Sequence, residues 1–433
     1  MSTVYKARAP ITGRVVALKI LKPRDDIFED LVGRKRLREI FLEEARIMGR
    51  ISHDHVAKVI DCDLHDEVPF IVLEYFSHSL GDFIGEAYKV EQESRIVSVP
   101  RTSLYISQAL KGLERLHFAG IVHRDIKPYN MMITSDDRVK LIDFGLSRVR
   151  GEEAVTIPGM QVGSPYYTAP EQIRDPEQVD GRADLFSIGV MLYRMLTGRL
   201  AELKSGGILA PSTYNPDLDE DWDRFVLRSL SKQPEKRFDS ALEMRVALEE
   251  LYSGWKNHHQ GQCTIPLMTE RETLDRIRVT PRSKPTRLLY KDIRNALGLD
   301  ELFRPRDFFT HQLEVCDPMV VYDPVTHLYW QRSGSGFTVD WQQAQEYIRY
   351  INDQKFQGKS TWRLPTTEEI VTILRSPSVQ RDFCLDANFD TSLHWLWSAD
   401  TSTKKQAWMA DIIESHIARQ DLDGSASVCA VSE

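Results

Sequence analysis

The sequence predicts an α+β protein with two folded regions separated by a polar stretch, and three observations carry that prediction. Short runs rich in alternating apolar residues fill positions 2–20 and 56–75, whereas apolar residues at three- and four-residue intervals mark helices at 33–50 and 103–118. Six of the eight tryptophans, Trp330, Trp341, Trp362, Trp395, Trp397 and Trp408, fall in residues 311–433. Between the two regions lies a stretch with basic and proline-bearing segments such as Thr280-Pro281-Arg282-Ser283-Lys284-Pro285. The expected division is therefore 1–252 for the first domain, 253–310 for a linker and 311–433 for the second domain.

The first two strands are expected at Thr3 to Ala7 and Val15 to Ile20, with a turn from Pro10 to Gly13. Leu37, Phe41, Ala45 and Met48 give the helix at 33–50 one apolar face. Strands follow at Val56 to Asp61 and Pro69 to Tyr75, then a buried helix over 103–118 that carries His117 as a packed residue near its end. Asp184 opens a second apolar helix, and Leu242 to Leu251 form an amphipathic one. In the second region Val320 to Tyr322 and His327 to Trp330 flank Asp323-Pro324 as a hairpin. Trp341, Ala344, Ile348 and Ile351 share a helix face, and Thr366 to Glu369 read as a capping box.

Composition excludes several functions. A chain of 433 residues has room for two or three cores, and its net charge of −8 argues against a nucleic-acid footprint. No apolar run is long enough to span a bilayer, and no apolar core follows Lys6 and Arg8 as a signal peptide requires. The five cysteines are scattered without a C-x-x-C, which points to a reducing cytoplasm. His258-His259 near Cys263 lacks a fourth ligand in a polar stretch and is read as no metal site.

The chemistry concentrates in Ile121 to Gly145. Met131-Met132-Ile133 and Val139 to Ile142 are joined by Ser135-Asp136-Asp137, a hairpin that holds Asp125, Asn130 and Asp143 near one cleft. Carboxylate and amide oxygens are hard ligands suited to Mg²⁺, and a further carboxylate can take the proton of an acceptor hydroxyl. That set suits metal-assisted phosphoryl transfer.

His123-Arg124-Asp125 with Lys127 and Asn130, followed in register by Asp143-Phe144-Gly145, resembles the bacterial eukaryotic-like (Hanks-type) serine/threonine protein kinases. The resemblance implies a bilobal kinase fold, ATP and Mg²⁺ as cofactors and protein substrates. It makes Asp125 and Lys127 catalytic and Asn130 and Asp143 metal ligands, with Lys127 as the serine/threonine form. Val15 to Ile20 is similar to the family's V-A-x-K strand, so Lys19 anchors the phosphates and Glu44, rather than Glu43, is its partner. Val4, Ala17, Leu73 as gatekeeper, Glu74, Phe76 and Met132 complete the nucleotide site by the same resemblance. Arg124 becomes a receptor for a phosphate on Thr156, Ser164 a contact of the catalytic loop, Glu171 the partner of Arg237, and Asp184 the buried brace of that loop. In the family's Gly-rich loop, Ser2 falls at the third glycine, so the chain as given is expected to begin inside that loop and to bind ATP weakly.

The second region, from the hairpin through Trp362-Arg363-Leu364-Pro365-Thr366 to Trp397-Ser398 and Ala407-Trp408, resembles the domain that closes some bacterial collagen-like adhesins. That family is related to formylglycine-generating enzymes and C-type lectins, which implies a small α+β lectin-like domain with a ligand of its own. Neither a Glu-Pro-Asn calcium motif nor a catalytic cysteine pair is present, and the tryptophans are read as core. The expected function is a kinase with a C-terminal sensing or substrate-binding module. The alternatives are a pseudokinase scaffold acting through the tail, and a carbohydrate or protein binder regulated by the kinase fold.

Overall fold

The computed structural model describes residues 2–22, 33–86, 90–143, 148–149, 166–201, 207–261, 280–309, 312–377 and 383–433. They form two compact units, Met1–Lys256 and Asn257–Glu433.

The first unit opens with an antiparallel sheet of β1 (Thr3–Arg8), β2 (Val15–Ile20), β3 (Val59–His65) and β4 (Val68–Glu74), ordered β1-β2-β4-β3. Helix α1 (Arg34–Gly49) buries Leu37, Phe41, Ala45 and Met48, the face its spacing predicts, and Phe41 and Ala45 cluster with Ile71 of β4. Strand β3 starts three residues later than the sequence suggests. Val56 and Ala57 are buried elsewhere: Val56 bridges to Leu141, and the Ala57 amide donates to the Leu141 carbonyl at 2.9 Å.

Helices α2 (Leu80–Ile84), α3 (Val99–Phe118), α4 (Pro170–Arg174), α5 (Arg182–Thr197), α6 (Glu220–Ser229) and most of α7 (Ala241–Gly261) build the rest of this unit. Helix α5 is buried at every residue from Ala183 to Thr197, as expected of a helix apolar on nearly all sides. Gly189 lets α6 approach, since a Cβ there would lie 2.2 Å from Ser229 Oγ. Short strands β5 (His78–Ser79), β6 (Ile121–Val122), β7 (Met131–Ile133), β8 (Val139–Leu141) and β9 (Arg148–Val149) frame the cleft side. Strands β7 and β8 form the anticipated hairpin, with Met131 opposite Leu141 and Ile133 opposite Val139. Its turn is held by Asp137, whose carboxylate accepts from Arg101 Nη2 at 2.8 Å and from the Tyr105 hydroxyl.

The linker reading of 253–310 differs from the structure at both ends. Helix α7 runs on to Gly261 and carries His258 and His259, and Trp255 is buried with its indole N–H donating to the Asp217 carbonyl at 2.8 Å. Residues 280–309 belong to the second unit's core through Ile293, Leu299 and Phe303, with α8 (Ile293–Ala296) among them. Apolar residues are sparse here; Leu288, Leu297 and Phe308 pack against that core, while Leu289 and Tyr290 stay exposed. The polar ones bond inward: Arg282 grips Asp400 at 2.9 Å through both Nη atoms, and Trp408 Nε1 donates to the Leu288 carbonyl at 2.9 Å.

The second unit contains two further sheets. One is ordered β10-β11-β12-β18, from β10 (Glu314–Asp317), β11 (Val320–Asp323), β12 (Leu328–Gln331) and β18 (Val431–Ser432). The other is ordered β13-β17-β14-β15-β16, from β13 (Thr338–Val339), β14 (Trp395–Thr401), β15 (Gln406–Asp411), β16 (His416–Asp421) and β17 (Ala426–Ser427). Helix α9 (Trp341–Asp353) starts at a capping box of Asp340 and Gln343, and α10 (Thr367–Ile373) at the predicted box of Thr366 and Glu369. Trp330, Trp362, Trp395, Trp397 and Trp408 are buried, so the tryptophans are core here.

Candidate active site

Lys19 lies on β2 opposite Ile71 of β4, and its side chain is turned toward α1 rather than solvent. Its Nζ donates to Glu44 Oε1 at 2.6 Å and to Asp143 Oδ1 at 3.0 Å. Burial alone would depress the ammonium's pKa, but the two carboxylates outweigh it and hold the group above its ordinary value. The choice of Glu44 over Glu43 thus matches the geometry: Glu44 is buried, whereas Glu43 pairs with Arg46 at the surface. The contact exists only because α1 sits against the sheet, so one lysine joins β2, α1 and Asp143, two positions past β8.

The loop between β6 and β7 supplies the second group. Asp125 Oδ2 accepts from Lys127 Nζ at 2.7 Å and from Asn130 Nδ2 at 2.9 Å, and the same amide donates to the Asp125 carbonyl at 2.8 Å. With its NH₂ committed to Asp125, Asn130 is left with the carbonyl oxygen to offer a cation. Asp143 is about half exposed, so a carboxylate oxygen is accessible beside the lysine contact. A carboxylate and an amide oxygen are the right donors for Mg²⁺, which takes few protein ligands and completes its shell from water and phosphate.

Asp184, on the first turn of α5, fixes the loop from below. It is fully buried and accepts from the amides of His123 at 2.9 Å and Arg124 at 2.7 Å, and from His117 Nε2 at 2.8 Å. Burial would raise its pKa, yet the bonds and charge of His117, with His123 and the Arg124 amide, bring it below the usual carboxylate value. These bonds hold Arg124 at φ 67°, a backbone conformation that non-glycine residues rarely adopt. Asp143 has φ 63° for a related reason: His123 Nε2 bonds the Ile142 carbonyl at 3.1 Å, tying the chain just before it. His117 and His123 are therefore structural members of the site: His123 is visible in the order His123-Arg124-Asp125, whereas nothing in residue order tied the packed His117 to Asp184.

The remaining predicted residues fall around this centre. Ala17 faces Leu73 across β2 and β4, Val4 lies opposite Lys19 on β1, and Met132 is on β7. The carboxylate of Glu74 accepts from Lys140 at 3.0 Å, and Phe76 follows β4 in the connection to β5. Glu171 and Arg237 form a two-pronged pair at 2.5 and 2.8 Å, with the arginine side chain fully buried. Arg124 Nη2 donates to the Pro176 carbonyl at 3.2 Å. Thr156 and Ser164, with Phe144 and Gly145, lie outside the described residues.

Comparison with known proteins places both units. Residues 1–240 match the protein kinase domain, and residues 319–432 match the Lcl C-terminal domain. A probable serine/threonine-protein kinase of Streptomyces coelicolor is 36% identical over 272 residues, covering 59% of this chain and 38% of that protein. One from Clostridium acetobutylicum is 33% identical over 269 residues, covering 59% and 39%. A serine/threonine-protein kinase of Myxococcus xanthus is 32% identical over 267 residues, covering 58% and 36%. The chain thus spans less than half the length of these relatives. The matched 240 residues exceed half of this sequence and contain every contact of the cleft described above, so the chain belongs to the protein kinase family.

Proposed function

We propose that the chain transfers the γ-phosphate of ATP to serine or threonine hydroxyls of proteins in a reducing cytoplasm, with the second unit as a sensing or substrate-binding module. The observation that carries this reading is the lysine shared between Glu44 and Asp143 beside an Asp125 already bonded to Lys127 and Asn130. A scaffold that only binds partners has no need to hold six polar side chains in this arrangement.

Asp125 orients the acceptor hydroxyl and takes its proton, a role worth roughly 10²–10⁴ in rate. Lys127 neutralises charge on the transferring group, and Lys19, aimed by Glu44, positions the phosphates. Asn130 and Asp143 would hold Mg²⁺, which when bound neutralises charge on the β- and γ-phosphates. Val4, Ala17, Leu73 and Met132 enclose the adenine, with backbone groups of Glu74 and Phe76 as its polar contacts. The named relatives are serine/threonine-protein kinases over the same region, which supports the acceptor class. Incubation with labelled ATP and Mg²⁺ tests the reading. Label should enter protein with the native chain and fall by at least about 100-fold in Asp143→Ala. Absence of label from the native chain would overturn it and leave a binding scaffold.

A further inference from the structure

Glu86 has no part in the chemistry above, yet two elements of the site end on it. It follows α2 and is 5% exposed. Its backbone carbonyl accepts from the hydroxyl of Tyr129, which sits in the single turn Pro128–Asn130 between Lys127 and β7. The ring fits only because residue 81 is glycine: a Cβ there would lie 2.8 Å from it. The side-chain Oε1 accepts from the hydroxyl of Tyr167 at 3.1 Å. Tyr167 belongs to the segment leading into α4 and Glu171, and its own carbonyl accepts from Ser187 Oγ of α5 at 2.7 Å.

The other carboxylate oxygen of Glu86 is buried and has no hydrogen-bond partner among the described residues. A buried acceptor left unsatisfied costs stability. Burial also raises the carboxyl's pKa, against the opposing influence of Arg194, Tyr167 and Lys127. Tyr167 is likewise pushed up, by burial and then by the charge of Glu86. An acid buried at such a cost, with Tyr129 on its main chain and Tyr167 on its side chain, is placed for geometry.

We propose that Glu86 is a positioning residue. It joins the catalytic loop, through Tyr129, to the segment before Glu171, through Tyr167, and so sets the slot in which a protein substrate presents its hydroxyl to Asp125. Gln172 Nε2, donating to the Arg124 carbonyl at 2.9 Å, closes the same frame from the far side. The inference rests on the kinase reading above and adds to it where the acceptor, as opposed to the nucleotide, is aligned. Small displacements matter at that point: a misplacement of about 1 Å can reduce transfer on the order of 100-fold.

Steady-state transfer to casein by the full chain tests it. Glu86→Ala and Tyr167→Phe should each raise the casein KM about tenfold while the ATP KM stays within about twofold. Glu86→Gln, which keeps a carbonyl oxygen for the Tyr167 hydroxyl, should stay near the native values. The double variant Glu86→Ala with Tyr167→Phe should lose no more than the worse single change, because both cut one bond. An ATP KM that rises in step with the casein KM, or losses that multiply in the double variant, would overturn the proposal. If the native chain transfers nothing, the kinase reading fails, and amide hydrogen exchange then decides this one separately. Faster exchange over residues 166–172 in Glu86→Ala but not in Glu86→Gln supports the tie, and unchanged exchange refutes it.

Discussion

Asp184 and Asp400 are both fully buried aspartates that organise a loop, and the contrast between them separates the two units. Asp184 accepts from two loop amides and a histidine, and Asp400 accepts from Arg282 and from the amides of Thr286 and Thr367. The partners of Asp400 are one arginine side chain and two backbone amides, and the result is a pinned chain segment. The two amide partners of Asp184, those of His123 and Arg124, lie immediately before Asp125, whose carboxylate faces the cleft with Lys127 and Asn130. Burial and bonding of a charge therefore do not mark a site by themselves. What marks it is whether the loop so braced carries reactive atoms that remain accessible.

The largest break in that comparison is expected at the reactive atom itself. Asp125→Asn should reduce phosphoryl transfer by about 10²–10⁴ and leave nucleotide affinity within a few-fold, as read by label transfer beside nucleotide titration. A variant with full transfer would remove Asp125 from its role. Next comes the pair of braces. Asp184→Ala and Asp400→Ala should each destabilise their own unit by about 3–5 kcal/mol, because each leaves buried partners uncompensated. Only the first should abolish transfer, and denaturant unfolding with parallel assays would show the difference.

Acid sharpens the contrast further. The pKa of Asp184 is below the ordinary 3.8 in the folded protein, so its stabilising contribution is fully present above that value and is lost as the pH falls through the lower folded value. Acid unfolding of Asp184→Asn should accordingly lack the part of the pH dependence that the native protein shows below 3.8. Lys19 has the opposite sign: its raised pKa gives stability that is complete below 10.5 and lost only as the pH climbs past the higher folded value. The smallest effect belongs to the second unit's helix start. Thr366→Ala removes the cap on the Glu369 amide and should cost about 1 kcal/mol, with no change in transfer.

Much of the site could be read from residue order, because its chemistry depends on fixed spacings. Asp125, Lys127 and Asn130 are separated from Asp143 by a hairpin whose two apolar runs are visible in the sequence, and Glu44 sits on the buried face of a helix whose periodicity is clear. The capping box at Thr366 is equally local. What escaped the sequence was contact between distant segments. Val56 and Ala57 look like strand residues, but Leu141 claims them. Residues 280–309 look like a linker because Ile293, Leu299 and Phe303 are isolated among charges, and only the sheet they pack on reveals their use. Glu86 has no motif at all; its two tyrosines come from 43 and 81 positions away.

Helix α5 gives the first unit a clock. A helix that presents no wettable face from Ala183 to Thr197 cannot survive as the outer surface of a partly opened form. Its amides can meet solvent only when the whole unit opens, so their exchange reports the lifetime of the entire fold rather than of a local fluctuation. Asp184 sits on that helix, and the backbone of His123 and Arg124 hangs from Asp184. The shape of the loop that carries Asp125 is thereby tied to the slowest timescale the unit possesses.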